Sequence, residues 1–365
     1  MCVIDARSLQ RARIARTLHS QHLATMTATS NATTPAATSS IVQTVILCPG
    51  QGAQSVGMAK AWGERSPRAR AVIAEADRIF ADGYHSASAC DGRTLSDIAF
   101  NGPQELLNRT DISQPALFTA AVACFHALPE TISAHRVRAF AGLSLGEYTA
   151  LHLGGAFSFE DGLRLVMRRG QLMQHAAETS KGSMVALIGA DETQAEEVCA
   201  RATAMGGILV PANFNAPGQI VLSGSVEACD NAITVAGDVG VRGTKLQVAG
   251  AFHSPLMASA AEAMREVLAK VSISPLAAEV WSNVTALPHE RANPQLLRQR
   301  LVEQLVSPVR WSQSCASLLA AISADGTRAG TAFHELAPGS VLKGLMRRID
   351  KTCEVVPHDQ PHDQA

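Results

Sequence analysis

The chain is 365 residues long, 47% hydrophobic and 17% charged, with 31 Lys and Arg against 32 Asp and Glu. That length supports one large domain with an insertion, or two domains. The near-neutral balance lacks the basic excess of a nucleic-acid binder, and eight cysteines without a CxxC pair exclude the spacing of a zinc or dithiol redox centre. Buried free thiols are the expectation for those cysteines.

The first forty residues hold Arg7, Arg11, Arg13 and Arg16 and a single acid, Asp5, and Ser, Thr, Ala and Asn dominate from Thr25 to Ser40. Such a composition builds no core and predicts an organelle transit peptide over 1–40. From Val42 the chain turns apolar, through Val45, Ile46, Leu47 and Cys48, which predicts a buried strand closed by Pro49 and a turn over Gly50–Gly52. Ser66-Pro67 marks a helix start, followed at helical spacing by Val72, Ile73, Ala76, Ile79 and Phe80. A further helix is predicted over Pro115–Leu128. The uncharged stretch around it, Ile112 to Pro129, contains Ser113, Gln114, Pro115, Thr119 and His126, so it reads as a core helix, and no membrane span is expected. A short strand over Val137–Ala141 and a helix over Gly146–Leu153, ended by Gly154 and Gly155, complete a strand–helix alternation that predicts an α/β fold with a mainly parallel sheet.

The middle of the chain changes rhythm. Strand Met184–Ile188, helix Thr193–Met205, strands Leu209–Ala212 and Gln219–Ser223, helix Ser225–Val235 and strand Thr244–Val248 form a βαββαβ order, that of a ferredoxin-like unit. The expectation is therefore a large α/β subdomain in two parts, 41–179 and 249–352, around an inserted small subdomain at 180–248. Ser254-Pro255 opens a helix running to about Val271. The end, 353–365, reads as a solvated tail, since Pro-His-Asp-Gln repeats there.

Chemistry is written first in Gly142-Leu143-Ser144-Leu145-Gly146, a GxSxG pattern with a strand before it and a helix after it. The glycines permit a sharp turn that lifts a serine hydroxyl above the sheet edge. The Leu145 N–H, at the helix start, suits an oxyanion. Pro49-Gly50-Gln51-Gly52 lets the backbone approach a ligand, so the Gln51 N–H is the candidate second donor. A phosphate loop is discounted there because its Lys-Ser/Thr is missing. Of twelve histidines, His253 stands apart, ending a strand-to-helix loop just before a helix start that would keep its imidazole neutral. It reads either as the base for Ser144 or as a loop histidine that merely packs.

Arg169 lies on a helix that Ser158 and Asp161 cap, in the middle of the apolar face of Gly162, Leu165, Val166, Leu172, Met173 and Ala176. A buried arginine must find an anion. The candidates are a protein carboxylate, which the pattern slightly favours, and a substrate carboxylate.

Together these residues resemble the malonyl-CoA:acyl-carrier-protein transacylase family over about 44–352. The resemblance rests on Pro49-Gly-Gln-Gly-Ala-Gln54, Gly142-Leu-Ser-Leu-Gly-Glu-Tyr148, Arg169-Gly170, Asn213-Phe-Asn-Ala-Pro-Gly-Gln219, Gly250-Ala-Phe-His-Ser-Pro255, Gln304-Leu-Val-Ser-Pro-Val-Arg-Trp311 and Ala337-Pro-Gly-Ser-Val-Leu342, in the family's order. It implies a hydrolase-like α/β domain with a ferredoxin-like insert. Ser144 would be the nucleophile, His253 the base, the Gln51 and Leu145 amides the oxyanion hole, and Arg169 the clamp for the malonyl carboxylate. Gln304 matches the residue whose main-chain carbonyl orients the histidine, and Ala251-Phe252-His253 resembles the malonyl-type specificity motif. Asn213 and Asn215 match a segment lining the site. Leu143 departs from the His usual in bacterial members and resembles plant and algal plastid members, which agrees with the leader and implies the chloroplast stroma, with the mitochondrial matrix as the alternative.

The reaction implied moves a malonyl group from malonyl-CoA to the phosphopantetheine thiol of acyl carrier protein through a malonyl-Ser144 ester, supplying fatty acid synthesis. It needs no metal or redox cofactor, and a monomer is expected. The competing reading from the same Ser–His pair is a serine hydrolase or thioesterase that passes the acyl group to water.

Overall fold

The computed structural model describes residues 43–83, 90, 92–129, 132 and 137–361, so the leader expected over 1–40 lies outside the described residues. The first part of the chain forms β1 (Gln43–Cys48), α1 (Lys60–Arg65), α2 (Pro67–Gly83), α3 (Leu95–Asn101), α4 (Gln104–Leu107), α5 (Thr110–Ala127), β2 (Val137–Gly142), α6 (Leu145–Leu153) and α7 (Phe159–Ser180). The middle forms β3 (Gly182–Ile188), α8 (Glu192–Ala204), β4 (Leu209–Ala216), β5 (Gln219–Ser225), α9 (Val226–Asp238) and β6 (Arg242–Lys245). After a 3-10 turn at Pro255–Met257 come α10 (Ala258–Ala269), β7 (Glu279–Trp281), α11 (Pro294–Gln304), α12 (Trp311–Ala324), β8 (Thr331–Glu335), α13 (Val341–Ile349) and β9 (Val355–Pro357).

A parallel sheet in the order β7-β2-β1-β8-β9 is the frame. Side chains alternate across a strand, so Ile46 and Cys48 of β1 enter one core cluster while Val45 and Leu47 enter the other. Both faces of the sheet are therefore covered, which is why the strand reads as a continuous apolar run. Cys48 pairs with Gly142, so β1 and β2 end side by side, and Leu143 N donates to Cys48 O at 3.2 Å. The two glycine-rich loops thus leave neighbouring carboxyl ends of parallel strands, where open α/β sheets bind ligands.

The second sheet is antiparallel, in the order β4-β5-β3-β6, with α8 and α9 packed on it around a separate core cluster. Its strand order is that of a ferredoxin-like unit. The chain segments that join it to the large sheet pass very close: a Cβ on Gly182 would stand 2.4 Å from Ala251 Cβ, and one on Gly250 would stand 2.3 Å from Ala177 Cβ.

Four expectations are corrected. Helix α5 begins at Thr110, with Pro115 inside it, instead of beginning at Pro115. Thr110 to Gln114 are all buried, and buried backbone groups need partners that a helix supplies. Strand β6 stops at Lys245; beyond it Leu246 and Val248 line the cleft described below. The segment after Ser254 turns first as a 3-10 helix before α10 begins at Ala258 and ends at Ala269. The tail expected at 353–365 is part of the fold as far as described: β9 adds to β8, Trp62 Nε1 donates to His358 O at 3.0 Å and Gly339 N to Asp359 Oδ1 at 2.6 Å. Without β9, β8 would be a bare edge with unpaired backbone groups.

No described helix is long and apolar enough to cross a membrane. The seven described cysteines are buried.

Candidate active site

Ser144 occupies the turn between β2 and α6 with φ 53° and ψ −102°, a backbone region that non-glycine residues rarely adopt. The turn closes only because its neighbours lack side chains. A Cβ on Gly142 would stand 1.9 Å from Gly146 C, one on Gly146 2.1 Å from Cys48 O, and one on Gly50 2.2 Å from Leu143 O. Asn283, just after β7, ties the turn down: its Oδ1 accepts from Ser144 N at 2.7 Å and its Nδ2 donates to Gly142 O at 2.7 Å. Asn283 is a residue that sequence reasoning missed, because a lone Asn after a short strand carries no signal.

The Ser144 hydroxyl faces a cleft of about 220 Å³ between the two sheets, lined also by Gly50, Gln51, Leu143, Met173, Asn213, Asn215, Phe252 and His253. Leu145 is the first residue of α6, and neither its N–H nor that of Gln51 has a hydrogen-bond partner among the described residues. Both predicted oxyanion donors are thus unengaged. The Gln51 side chain is turned away to donate to Thr110 Oγ1 at 3.1 Å.

His253 Nε2 lies 2.8 Å from Ser144 Oγ, and its Nδ1 lies 2.7 Å from the main-chain carbonyl of Gln304. A carbonyl only accepts, so Nδ1 carries the ring proton and Nε2 is free to accept the hydroxyl proton. Burial first and the neighbouring Arg169 second lower the imidazole pKa, the Gln304 bond opposes both, and the ring ends at about 4. The imidazole is kept neutral, as a helix start was expected to keep it, but for a different reason: desolvation and a nearby cation.

Arg169 is buried on α7, whose start is capped by Ser158 Oγ accepting from Asp161 N at 3.0 Å. Its Nη1 donates to Gln114 Oε1 at 2.7 Å, and its Nη2 to Gln304 Oε1 at 2.8 Å and to Ser144 Oγ at 3.1 Å. Its guanidinium carbon stands 5.2 Å from the Tyr148 ring centroid. Burial lowers its pKa, yet a guanidinium stays charged. Among the described residues no Asp or Glu reaches it within ion-pair distance, so the protein-carboxylate partner that the pattern slightly favoured is absent. Its hydrogen-bond acceptors are neutral oxygens, so the charge of the buried guanidinium is not neutralised through these bonds. Gln114, which completes this cradle, sits in an apolar stretch where its role could not be read.

Gln304 therefore serves twice. Its carbonyl meets His253 and its side chain meets Arg169, while its Nε2 donates to Ser144 O at 3.0 Å and Glu147 Oε2 at 2.6 Å.

The acyl transferase domain family matches residues 45–365. The chain is similar to the malonyl CoA-acyl carrier protein transacylase of Bacillus subtilis strain 168, 36% identical over 317 residues that cover 86% of this chain and 93% of that protein. Among solved structures it is similar to the acyl-carrier-protein-S-malonyltransferase of Bartonella henselae, with TM-score 0.76 and 36% identity over 86% of this chain and 95% of that one. It is also similar to a malonyl-transacylase solved in complex with its type II polyketide synthase acyl-carrier protein, with TM-score 0.77 and 32% identity over 87% of this chain and 96% of that one.

Proposed function

This chain belongs to the malonyl-CoA:acyl-carrier-protein transacylase family of acyl transferases, and we propose that it carries the malonyl group as an ester on Ser144. The reaction takes the malonyl group from malonyl-CoA and delivers it to the phosphopantetheine thiol of acyl carrier protein. His253 Nε2 removes the hydroxyl proton as Ser144 Oγ attacks the thioester carbon. The Gln51 and Leu145 N–H groups receive the developing oxyanion, and the imidazolium, held through Nδ1 by Gln304, returns its proton to the departing CoA sulfur. The carrier thiol then gives its proton to His253 and attacks the seryl ester, and Ser144 leaves with that proton. Every proton is accounted for by one imidazole, so the residues supply the chemistry without a metal or redox cofactor. Two half-reactions through one ester give ping-pong kinetics.

The observation that carries this reading is Arg169, a buried cation with no carboxylate within ion-pair distance among the described residues, bonded to the oxygen of Ser144. It suits an acyl group ending in a carboxylate. Intact mass after mixing with malonyl-CoA or acetyl-CoA tests it: a malonyl adduct is expected to dominate, lost on adding carrier protein. Steady release of free malonate without a thiol acceptor would instead make the chain a hydrolase.

The finer reading is a plastid-type member working as a monomer in the chloroplast stroma. It is supported by the acid-poor, Arg-rich residues 1–40, by Leu143, and by a family match that starts only at residue 45. One chain also supplies every residue of the site. A fluorescent fusion of residues 1–40 is expected in plastids; a mitochondrial or cytosolic signal would overturn the stromal reading.

A further inference from the structure

Below the cleft lies a buried polar cluster that the transfer steps leave unused. Glu147, in the first turn of α6, is 1% exposed and His289 is 7% exposed. Glu147 Oε2 accepts from Gln304 Nε2 at 2.6 Å and from Asn283 N at 3.2 Å, and its Oε1 lies 2.7 Å from His289 Nε2. Gln304 stands between this carboxyl group and Arg169.

A carboxamide has one accepting and one donating end of nearly the same shape. Packing alone would allow the Gln304 side chain either way round, so hydrogen bonding must choose. In the observed orientation Oε1 faces the Arg169 guanidinium, and Nε2 faces two acceptors, the Glu147 carboxyl and the Ser144 carbonyl. Turned over, it would set N–H against guanidinium N–H and oxygen against two oxygens, all without solvent, where unsatisfied polar groups are costly.

We propose that Glu147, held by His289, sets the polarity of the Gln304 carboxamide and so aims the Arg169 guanidinium that selects a malonyl over an acetyl group. Glu147 is a positioning residue, because it acts through Gln304 and not on the substrate. Its distance matters as much as its contact. A carboxylate bonded directly to Arg169 would compete with the malonyl carboxylate, whereas the neutral Gln304 Oε1 yields to a charged acceptor, which binds a guanidinium more strongly. The carboxyl group one carboxamide away keeps the cation aimed without filling its anion site.

This inference rests on malonyl transfer through Ser144, so malonyl labelling of the wild-type protein is measured first. Absence of labelling there would overturn that reading and this one together. The test proper is the ratio of malonyl to acetyl transfer efficiencies, kcat/KM over kcat/KM, which a general loss of structure does not move. In Glu147→Leu the closer of the two acceptors is gone and only the Ser144 carbonyl still opposes a turned carboxamide, so the ratio is expected to fall about tenfold or more. Glu147→Gln can still present an oxygen to Gln304 Nε2 and its amide to His289, so its ratio is expected to stay within a few-fold of wild type. If Glu147→Leu does not fold, Gln304→Leu cuts the same link while its main-chain carbonyl remains for His253, and a fall in its ratio is expected. A wild-type ratio in the leucine variant that folds, with both activities falling alike, would overturn the proposal. So would a Glu147→Gln variant that loses as much selectivity as Glu147→Leu.

Discussion

The guanidinium of Arg169 donates a hydrogen bond to the hydroxyl oxygen of Ser144 at 3.1 Å, the same oxygen that lies 2.8 Å from His253 Nε2. One buried cation therefore touches the oxygen of the proposed nucleophile. It lowers the pKa of His253 and, in the proposed reaction, would offer the far end of a malonyl group a planar pair of donors. The proposed reaction therefore couples selectivity and reactivity through this contact.

Removing the clamp should separate them. Charge-assisted hydrogen bonds contribute roughly 1.5–3 kcal/mol, which at about 1.4 kcal/mol per tenfold is about 10- to 150-fold in rate. Arg169→Ala should lower malonyl transfer by that order and leave acetyl transfer equal or higher, since acetyl leaves the cation without an anion. Arg169→Lys should recover only part of the preference. Steady-state efficiencies with both thioesters decide it, and an unchanged ratio would make Arg169 a structural residue.

The nucleophile has a simpler test. Ser144→Ala should abolish both the covalent malonyl adduct and transfer while leaving the thermal unfolding transition in place. A malonyl adduct of unchanged mass and extent in that variant would move the nucleophile elsewhere.

Acid should reveal the environment of His253. Its folded value of about 4 lies below the ordinary 6.5 because of burial first and Arg169 second. Only the neutral ring is a base, so kcat/KM should fall as pH drops through about 4, far below 6.5. Between those two values the unfolded chain binds the extra proton and the folded one does not, so stability should also decline as pH falls through that window. In Arg169→Ala one cause is gone, and the acid limb measured with acetyl-CoA should move upward. A limb at the ordinary histidine value in both proteins would mean that solvent reaches the ring in the working enzyme.

Backbone proximity makes two glycines behave oppositely. In Gly146→Ala the new Cβ would meet Cys48 O at 2.1 Å, a backbone atom that cannot yield. Overpacking of this kind costs about 1–3 kcal/mol or more, and the displaced turn should cost activity as well. Gly344, within α13, has nothing within 4 Å of a built Cβ. Gly344→Ala should be neutral or gain up to about 1 kcal/mol through helix propensity. Denaturant midpoints of the two variants give the comparison, and equal midpoints would refute it.

Local pattern carried the sequence a long way. Strand β1, the turn holding Ser144, the helix behind it and the apolar face around Arg169 are all legible because each depends on residues within a few turns of one another. The same holds for the βαββαβ order of the small subdomain. The short strands and helices near the end were not legible. Strand β9, only three residues long, looked like tail because its worth lies in covering the edge of β8.

What only the tertiary structure decided is which polar groups meet where water is excluded. Arg169 was legible as buried, but not as bonded to Gln114, 55 residues away, and Gln304, 135 residues away, in place of a carboxylate. Asn283 reaches the backbone of Ser144 across 139 residues, and Gln304 does so across 160. Glu147 belongs to a motif legible for its serine, yet its contacts with His289 and Gln304 come from the far end of the chain. The physical reason is the same in each case. Periodicity reports which side of an element is dry, because burying apolar surface is nearly non-directional. A hydrogen bond is directional and short, so the partner of a buried donor exists only once distant strands and helices have been brought into place.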